Sequence, residues 1–186
     1  AAGTVSDGVG GTDTLTSIER IQGSAYADWM MGSANADTFA GGAGNDTLNG
    51  GAGIDTLDYS GSAAAVLVNL SSASQTLNAI VVAAGTARDG LGGTDTLTGF
   101  ENVTGSAYAD WMFGSANGDA LSGGSGNDNL NGDAGNDVLI GGAGNDILAG
   151  GTGYDVLDYR SSTAGILANL DSVSQTLNGT AVAAGT

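Results

Sequence analysis

The sequence contains no histidine, no cysteine and no lysine, and its only basic residues are Arg20, Arg88 and Arg160. Without these side chains the chain cannot form a Ser-His-Asp triad, a Cys-His pair or a lysine nucleophile. No stretch approaches the roughly 18 apolar residues that a membrane-spanning helix needs, so no membrane insertion is expected. The absence of cysteine excludes disulfides and is compatible with an extracellular protein that is stabilised in another way.

A nine-residue frame recurs in two arrays. Each copy begins with glycine, has an aspartate five places later and an apolar residue two places after that. The four copies of the first array and the six copies of the second start at Gly23, Gly32, Gly41 and Gly50 and at Gly105, Gly114, Gly123, Gly132, Gly141 and Gly150. A period held this strictly is typical of a repeat architecture.

Each copy is too short for a pair of helices and matches a short strand followed by a tight turn. Glycine supplies the positive φ that such turns use, and alternate residues of a strand face opposite sides. Two copies would then form one coil, so that aspartates two copies apart, such as Asp28 and Asp46, lie one above the other. Adjacent strands are about 4.8 Å apart, so these like charges would repel each other unless a cation lay between them.

The turns offer only oxygen ligands, namely carboxylates and main-chain carbonyls. Oxygen ligation at flexible distances suits calcium, whereas zinc, copper and iron favour nitrogen or sulfur. Magnesium remains the alternative, but it requires tight octahedral geometry and retains its waters. We therefore expect calcium as the cation.

The charge balance is strongly acidic, with 20 acidic residues and a formal net charge of −17. Such a surface repels nucleic acid and anionic membranes, so neither is an expected partner. Paired carboxylates can perform glycoside hydrolysis. A catalytic pair is normally unique, however, whereas these aspartates recur along both arrays, so we expect no enzymatic activity.

The best-formed copies, 41–49 and 141–149, begin Gly-Gly-Ala-Gly-Asn-Asp and continue with an x-Leu-x strand. They resemble the repeats-in-toxin (RTX), or haemolysin-type calcium-binding, nonapeptide. The resemblance covers residues 23–58 and 105–158. It implies an all-β fold, a parallel β-roll or right-handed β-solenoid, in which calcium binds between the turns of successive coils.

The resemblance also implies which atoms bind calcium and which side chains are buried. The implied carboxylate ligands are Asp28, Asp37, Asp46, Asp55, Asp110, Asp119, Asp128, Asp137, Asp146 and Asp155. Main-chain carbonyls complete the sites around Gly41, Gly42, Gly44, Gly51, Gly53, Gly123, Gly124, Gly126, Gly135, Gly141, Gly142, Gly144, Gly151 and Gly153. The implied buried residues are Met30, Phe39, Leu48, Leu57, Met112, Leu121, Leu130, Leu139, Leu148 and Leu157.

Several copies depart from the motif. The opening copy of each array carries tyrosine, Tyr26 or Tyr108, where the fourth-position glycine is expected, and the copy after it carries asparagine there. Because tyrosine adopts a left-handed backbone poorly, we expect weak or altered sites at Asp28 and Asp110. Asp133 replaces a second-position glycine and is expected to be solvated. If an array of n copies gives n minus 2 complete sites, the two arrays bind about six calcium ions.

A longer repeat lies over the nonapeptides. Ala-Ala-Gly-Thr begins at residues 1, 83 and 183, and the second unit, 83–182, exceeds the first, 1–82, by one coil. We therefore divide the chain into a leading strand segment (1–22), a first β-roll (23–58), an inter-array segment (59–104), a second β-roll (105–158) and a trailing segment with the start of a third unit (159–186). The apolar stretches 65–70, 79–82 and 165–170 predict wider strands that continue one solenoid. The alternative is a set of flexible linkers.

Two features leave alternatives open. Asp13 and Asp95 lie in Gly-Gly-Thr-Asp-Thr-Leu stretches that resemble degenerate copies, and each either caps the solenoid or binds a further ion. Trp29 and Trp111 are expected to point outwards by strand alternation. They either pack beneath neighbouring strand segments or form a platform for glycans or for neighbouring protein chains.

We therefore expect a calcium-binding structural or interaction module that folds when calcium binds. The resemblance implies a large secreted or cell-surface bacterial protein of the adhesin, surface-layer or matrix type, exported by type I secretion, with further copies of the same long unit as partners. The alternatives are an accessory domain of a secreted protease, lipase, polysaccharide epimerase or toxin, and a carbohydrate-binding segment. The expected location is extracellular or on the bacterial cell surface.

Overall fold

The structure is a computed structural model that describes residues 3–6, 8–168, 170, 175–177 and 180–182. The described residues form strands and turns and no helix. The strands are β1 (Gly3–Ser6), β2 (Thr12–Leu15), β3 (Arg20–Gln22), β4 (Trp29–Met31), β5 (Thr38–Ala40), β6 (Thr47–Asn49), β7 (Thr56–Asp58), β8 (Leu67–Asn69), β9 (Gln75–Leu77), β10 (Ile80–Val82), β11 (Thr86–Arg88), β12 (Thr94–Thr98), β13 (Asn102–Thr104), β14 (Trp111–Phe113), β15 (Ala120–Ser125), β16 (Asn129–Asn131), β17 (Val138–Ala143), β18 (Ile147–Ala149), β19 (Val156–Leu157), β20 (Gln175–Leu177) and β21 (Thr180–Val182).

Most of these strands belong to two sheets that enclose one core. The eight-stranded sheet has the order β18-β16-β14-β8-β11-β12-β6-β4, and the seven-stranded sheet has the order β19-β17-β15-β13-β7-β5-β3. Strands two copies apart pair in parallel, as Phe39 does with Leu57 and Met112 with Leu130. Two nonapeptides therefore form one coil, and the coils stack into an all-β solenoid of about eight turns, which confirms the predicted fold.

Each nonapeptide contributes one apolar side chain to the core, and residues between the arrays, such as Val66, Val68 and Val103, complete it. Eight of the ten predicted residues are buried: Met30, Phe39, Leu48, Leu57, Met112, Leu121, Leu130 and Leu139. Leu148 packs against them and is only partly buried, whereas the prediction is wrong for Leu157, which is 44% exposed. Leu157 lies in β19, the last strand of the seven-stranded sheet, so only one neighbouring strand covers it.

The two arrays share the same pair of sheets and meet at a junction that we call the splice, residues 59–104. In the seven-stranded sheet β13 pairs directly with β7, Val103 lying against Leu57. In the eight-stranded sheet β12 pairs in parallel with β6, and β8 pairs in parallel with β14. Strand β11 fills the gap between β12 and β8 and runs antiparallel to both.

The splice differs from the predicted continuation of the solenoid in the β9–β10 hairpin and in the antiparallel strand β11. Residues 79–82 were expected in a solenoid strand, but β10 forms an antiparallel hairpin with β9, in a separate two-stranded sheet. The cause is local, because Asn78 and Ala79 both have positive φ, 47° and 60°, which is typical of a tight two-residue hairpin turn. The chain then returns along β11 in the reverse direction.

The two ends repeat these hairpins. β1 pairs antiparallel with β2 in the same register in which β11 pairs with β12, and β20 pairs antiparallel with β21. Of the predicted strand at 165–170, residues 165–168 and 170 are described and form no strand. The proposed start of a third unit at Ala183 lies outside the described residues.

Candidate calcium sites

The repeated aspartates form four acidic columns, each running along one edge of the solenoid. In each column the main-chain N–H of one aspartate donates to the Oδ1 atom of the aspartate in the next coil. The six predicted pairs are all in contact, at N···O distances of 2.9 Å for Asp28–Asp46, 2.8 Å for Asp37–Asp55, Asp110–Asp128 and Asp119–Asp137, 3.0 Å for Asp128–Asp146 and 3.1 Å for Asp137–Asp155.

Two of the columns continue into the splice through residues that the glycine frame did not mark. The N–H of Asp46 donates to Asp95 Oδ1 at 3.1 Å, and the N–H of Asp55 donates to Glu101 Oε2 at 2.9 Å. Asp95 was predicted either to cap the solenoid or to bind an ion, and Glu101 was missed. A signal was present, since both carboxylates are followed two places later by a buried apolar residue, Leu97 or Val103.

Four of the ten carboxylates are satisfied by serine. In these serine turns, serine follows the first glycine of the copy and its N–H donates to Oδ2 of the aspartate. The N···O distances are 2.6 Å for Ser24–Asp28, Ser33–Asp37 and Ser106–Asp110 and 2.7 Å for Ser115–Asp119. Among the described residues, no tyrosine or asparagine of a serine turn has positive φ. In the serine turns, hydrogen bonds from serine therefore hold the carboxylate without a fourth-position residue at positive φ.

The other six copies have glycine in the fourth position, with φ between 123° and 139°, and we call them glycine turns. Here the Oδ2 atoms of Asp46, Asp55, Asp128 and Asp137 are buried and accept no hydrogen bond within the described part of the chain. A buried carboxylate oxygen without a partner is costly. A bound cation removes that cost, so these four oxygens fit a calcium ligand set. Asp146 and Asp155, in the last coil, are partly exposed.

Main-chain carbonyls closely approach the turn glycines of the neighbouring coil because the turns stack tightly. A Cβ atom on Gly144 would overlap the carbonyl oxygen of Gly126, and one on Gly153 would overlap that of Gly135. Glycine is therefore required for this approach. No group of three or more carboxylates forms a metal cluster in the described residues. An ion in a glycine turn would need carbonyl oxygens to complete the six to eight or so ligands that calcium takes.

The electrostatics of the columns favour a cation. Burial, with a smaller contribution from neighbouring carboxylates of the columns, raises the pKa of Asp119 and of Asp128 to about 6. Burial also raises the pKa values of Asp46, Asp110 and Asp137. The ion pairs of the described residues, Arg20 with Asp58 and Arg160 with Asp158, lie outside the columns. No arginine there compensates the buried charge.

Sequence comparison agrees with this geometry. The profile of the RTX calcium-binding nonapeptide repeat (4 copies) matches residues 22–57, 98–130 and 122–157, which together are just over half of the chain. The chain therefore belongs to the RTX calcium-binding nonapeptide repeat family and contains a structural calcium-binding β-roll. No curated protein matches the chain as a relative. Among the residues described, no helix is long and apolar enough to cross a membrane.

The two tryptophans occupy different environments. Trp111 and Phe113 pack against a small cluster formed by Leu67, Leu77 and Val82, so the interpretation as packing residues holds there. Trp29 occupies the same place in the first array and is 80% exposed. In the described structure β4 is the edge strand of the eight-stranded sheet, whereas β14 is covered by β8 and the β9–β10 hairpin.

Proposed function

We propose that the chain is a calcium-folded structural module in which about six ions bind between stacked turns, one for each of the six aspartate pairs. The observation that carries this proposal is the set of buried, unpartnered Oδ2 atoms in the glycine turns. Each pair contains at least one aspartate of a glycine turn, so each has a carboxylate that serine does not satisfy. The carbonyls of the glycine turns supply the remaining ligands.

Metal-coupled folding follows from the same feature. Without calcium the columns bring buried like charges together, and each nonapeptide of the glycine-rich chain contributes only one core side chain to offset its conformational entropy. A site at ten times its dissociation constant contributes about 1.4 kcal/mol, so about six sites contribute on the order of 8 kcal/mol. This is comparable to the whole stability of an ordinary domain.

Circular dichroism during a calcium titration tests this proposal, with magnesium as the matched control. We expect a disordered spectrum in chelator, a cooperative gain of β structure with calcium, and a much weaker response to magnesium. Retention of the β spectrum and of a compact hydrodynamic radius in excess chelator would refute metal-coupled folding.

We further propose that the module continues end to end with further copies of the same long unit. Residues that are buried at the splice have exposed counterparts at the ends. Leu57 and Tyr59 are 0% and 4% exposed, whereas Leu157 and Tyr159, one hundred residues later, are 44% and 41% exposed. At the splice, β12 and β13 cover the first pair. The β1–β2 hairpin and β3 have the matching sequence and pairing, so they fit the last coil of another unit.

A designed disulfide tests this stacking. At the splice Thr47 and Thr96 are Cα partners in neighbouring parallel strands, and their counterparts at the two ends are Ile147 and Thr14. We expect the double variant Thr14→Cys, Ile147→Cys to form a ladder of head-to-tail multimers on oxidation in calcium. Moving one cysteine to Thr12 shifts it by two residues, beyond disulfide reach in this register. Equal ladders from both pairs, or none from either, would refute the stacking.

The proposed setting is a large secreted or cell-surface bacterial protein of the adhesin, surface-layer or matrix type, since stacked units form a rod whose length grows with their number. RTX repeats occur in secreted bacterial proteins, which supports an extracellular location. The alternative is an accessory domain of a secreted enzyme or toxin. Sequencing the flanking regions discriminates between them, because a rod requires further long units and an accessory domain requires a catalytic domain next to it.

A further inference from the structure

The loop between β11 and β12 contains a buried carboxylate that the nonapeptide sites do not include. Asp89 lies outside the segments matched by the family profile and is 0% exposed. Its Oδ1 atom accepts hydrogen bonds from the N–H groups of Leu91 and Gly93, both at 2.8 Å. Its Oδ2 atom is buried and accepts none within the described residues, which is the state of the four carboxylates in the glycine turns.

The surroundings of this oxygen repeat the arrangement of a nonapeptide turn. A Cβ atom on Gly93 would meet Asp89 Oδ2 and overlap the carbonyl oxygen of Gly44, so both oxygens face the same point. In the same way, a Cβ atom on Gly132 would meet Asp137 Oδ2 and the carbonyl oxygen of Gly150. The order along the chain is reversed, because Asp89 precedes its glycine whereas Asp137 follows it. A frame that starts at glycine therefore does not detect this site.

The charges around the loop are negative. Asp46 and Asp95 are buried in the adjacent column, and Asp46 also has an unpartnered Oδ2 atom. Asp95 accepts a hydrogen bond from the Tyr59 hydroxyl at 2.8 Å. After burial, which is the largest cause, Asp95, Asp89 and Asp46 together raise the pKa of Tyr59, so all three carboxylates act on one buried region. No ion pair of the described residues involves any of them.

We propose that Asp89 Oδ2 and the Gly44 carbonyl oxygen bind a further calcium ion at the splice. The inference rests on the proposed function, in that it takes the glycine turns as calcium sites. The ion joins a loop of the second unit to a turn of the first array, and so fixes the point at which the chain reverses direction. Folding of the splice then depends on calcium, as folding of the two β-rolls does.

Counting bound calcium tests this site. Native mass spectrometry and equilibrium dialysis at saturating calcium give the number of ions per chain for the parent and for three variants. Asp89→Asn keeps the Oδ1 acceptor for Leu91 and Gly93 and is expected to bind one ion fewer. Asp137→Asn reports on a nonapeptide site, and Asp133→Asn, which changes a partly exposed turn carboxylate, is the control and is expected to leave the count unchanged.

The outcomes separate the two proposals. If Asp137→Asn loses calcium and Asp89→Asn retains the full count, the splice site is wrong and the nonapeptide sites stand. If the parent binds no calcium, both proposals fail. Should Asp89→Asn fail to fold, crystals of the parent grown with calcium and with terbium decide the question by anomalous scattering. A peak within about 2.6 Å of Asp89 Oδ2 supports the site, and its absence overturns it.

Discussion

The sharpest prediction concerns Asp137, which like Asp128 belongs to two stacked pairs of the second array. Its Oδ1 atom accepts the N–H of Asp119 at 2.8 Å, and its own N–H donates to Asp155 at 3.1 Å. Its Oδ2 atom is buried without a partner. Asp137→Asn preserves the acceptor for Asp119 and removes the negative charge, so the variant isolates the loss of cation binding from the loss of hydrogen bonds.

The magnitude follows from the number of sites that the residue serves. With six sites, each contributing about 1.4 kcal/mol at ten times its dissociation constant, folding is coupled to about 8 kcal/mol of binding free energy. If the variant loses two sites, the remaining four must each contribute about 2.1 kcal/mol, which requires a calcium concentration about threefold higher. Asp155→Asn, which touches one pair, should raise the midpoint by slightly less than twofold on the same arithmetic.

The assay is the calcium midpoint of folding, measured by circular dichroism for the parent, Asp137→Asn, Asp155→Asn and Asp133→Asn. Asp133 belongs to the same turn as Asp137, and its N–H donates to Asn131 Oδ1, but it lies outside the columns. We expect the calcium midpoint to rise most for Asp137→Asn, less for Asp155→Asn and not at all for Asp133→Asn. Equal shifts for all three would mean that net charge rather than ligation sets the midpoint, and the column argument would fail.

Three further perturbations probe the turns and the core. In chelator, lowering the pH from 7 towards 4 should restore part of the β spectrum that the metal-free chain lacks, because the folded pKa values of Asp119 and Asp128, about 6, exceed the ordinary 3.8 and protonation removes the buried charge. The absence of any gain in β signal over this pH range would contradict this. Gly144→Ala should raise the calcium midpoint, since its Cβ would overlap a carbonyl at positive φ, whereas Gly165→Ala, with open space around it, should not. Leu130→Ala should cost about 2–5 kcal/mol in urea unfolding at saturating calcium, because the side chain is fully buried.

The repeat frame predicted the parts of the structure that depend on local periodicity. The spacing of the aspartates sets the stacked pairs, and the apolar residue two places further sets the core, so both could be derived from the sequence. The arrangement of the splice could not be derived from the sequence in this way. The reversed direction of β11 depends on the tight turn at Asn78 and on pairing with β8 and β12, which the nine-residue period does not specify. Glu101 was missed for a simpler reason. The frame was anchored on glycine, and the shared feature at the splice is the carboxylate with its buried neighbour.

The two kinds of turn divide the solenoid into parts with different requirements. Each array opens with two serine turns, which is one full coil whose carboxylates are satisfied by main-chain and hydroxyl groups of Ser24, Ser33, Ser106 and Ser115. The glycine turns follow and leave their carboxylates open. Along the sheets, the serine coil of the second array lies beyond the splice from the glycine turns of the first. Along the solenoid, coils whose carboxylates are already hydrogen-bonded by serine therefore alternate with coils that leave buried carboxylate oxygens without a partner, and under the proposed function it is the oxygens of the second kind that require calcium.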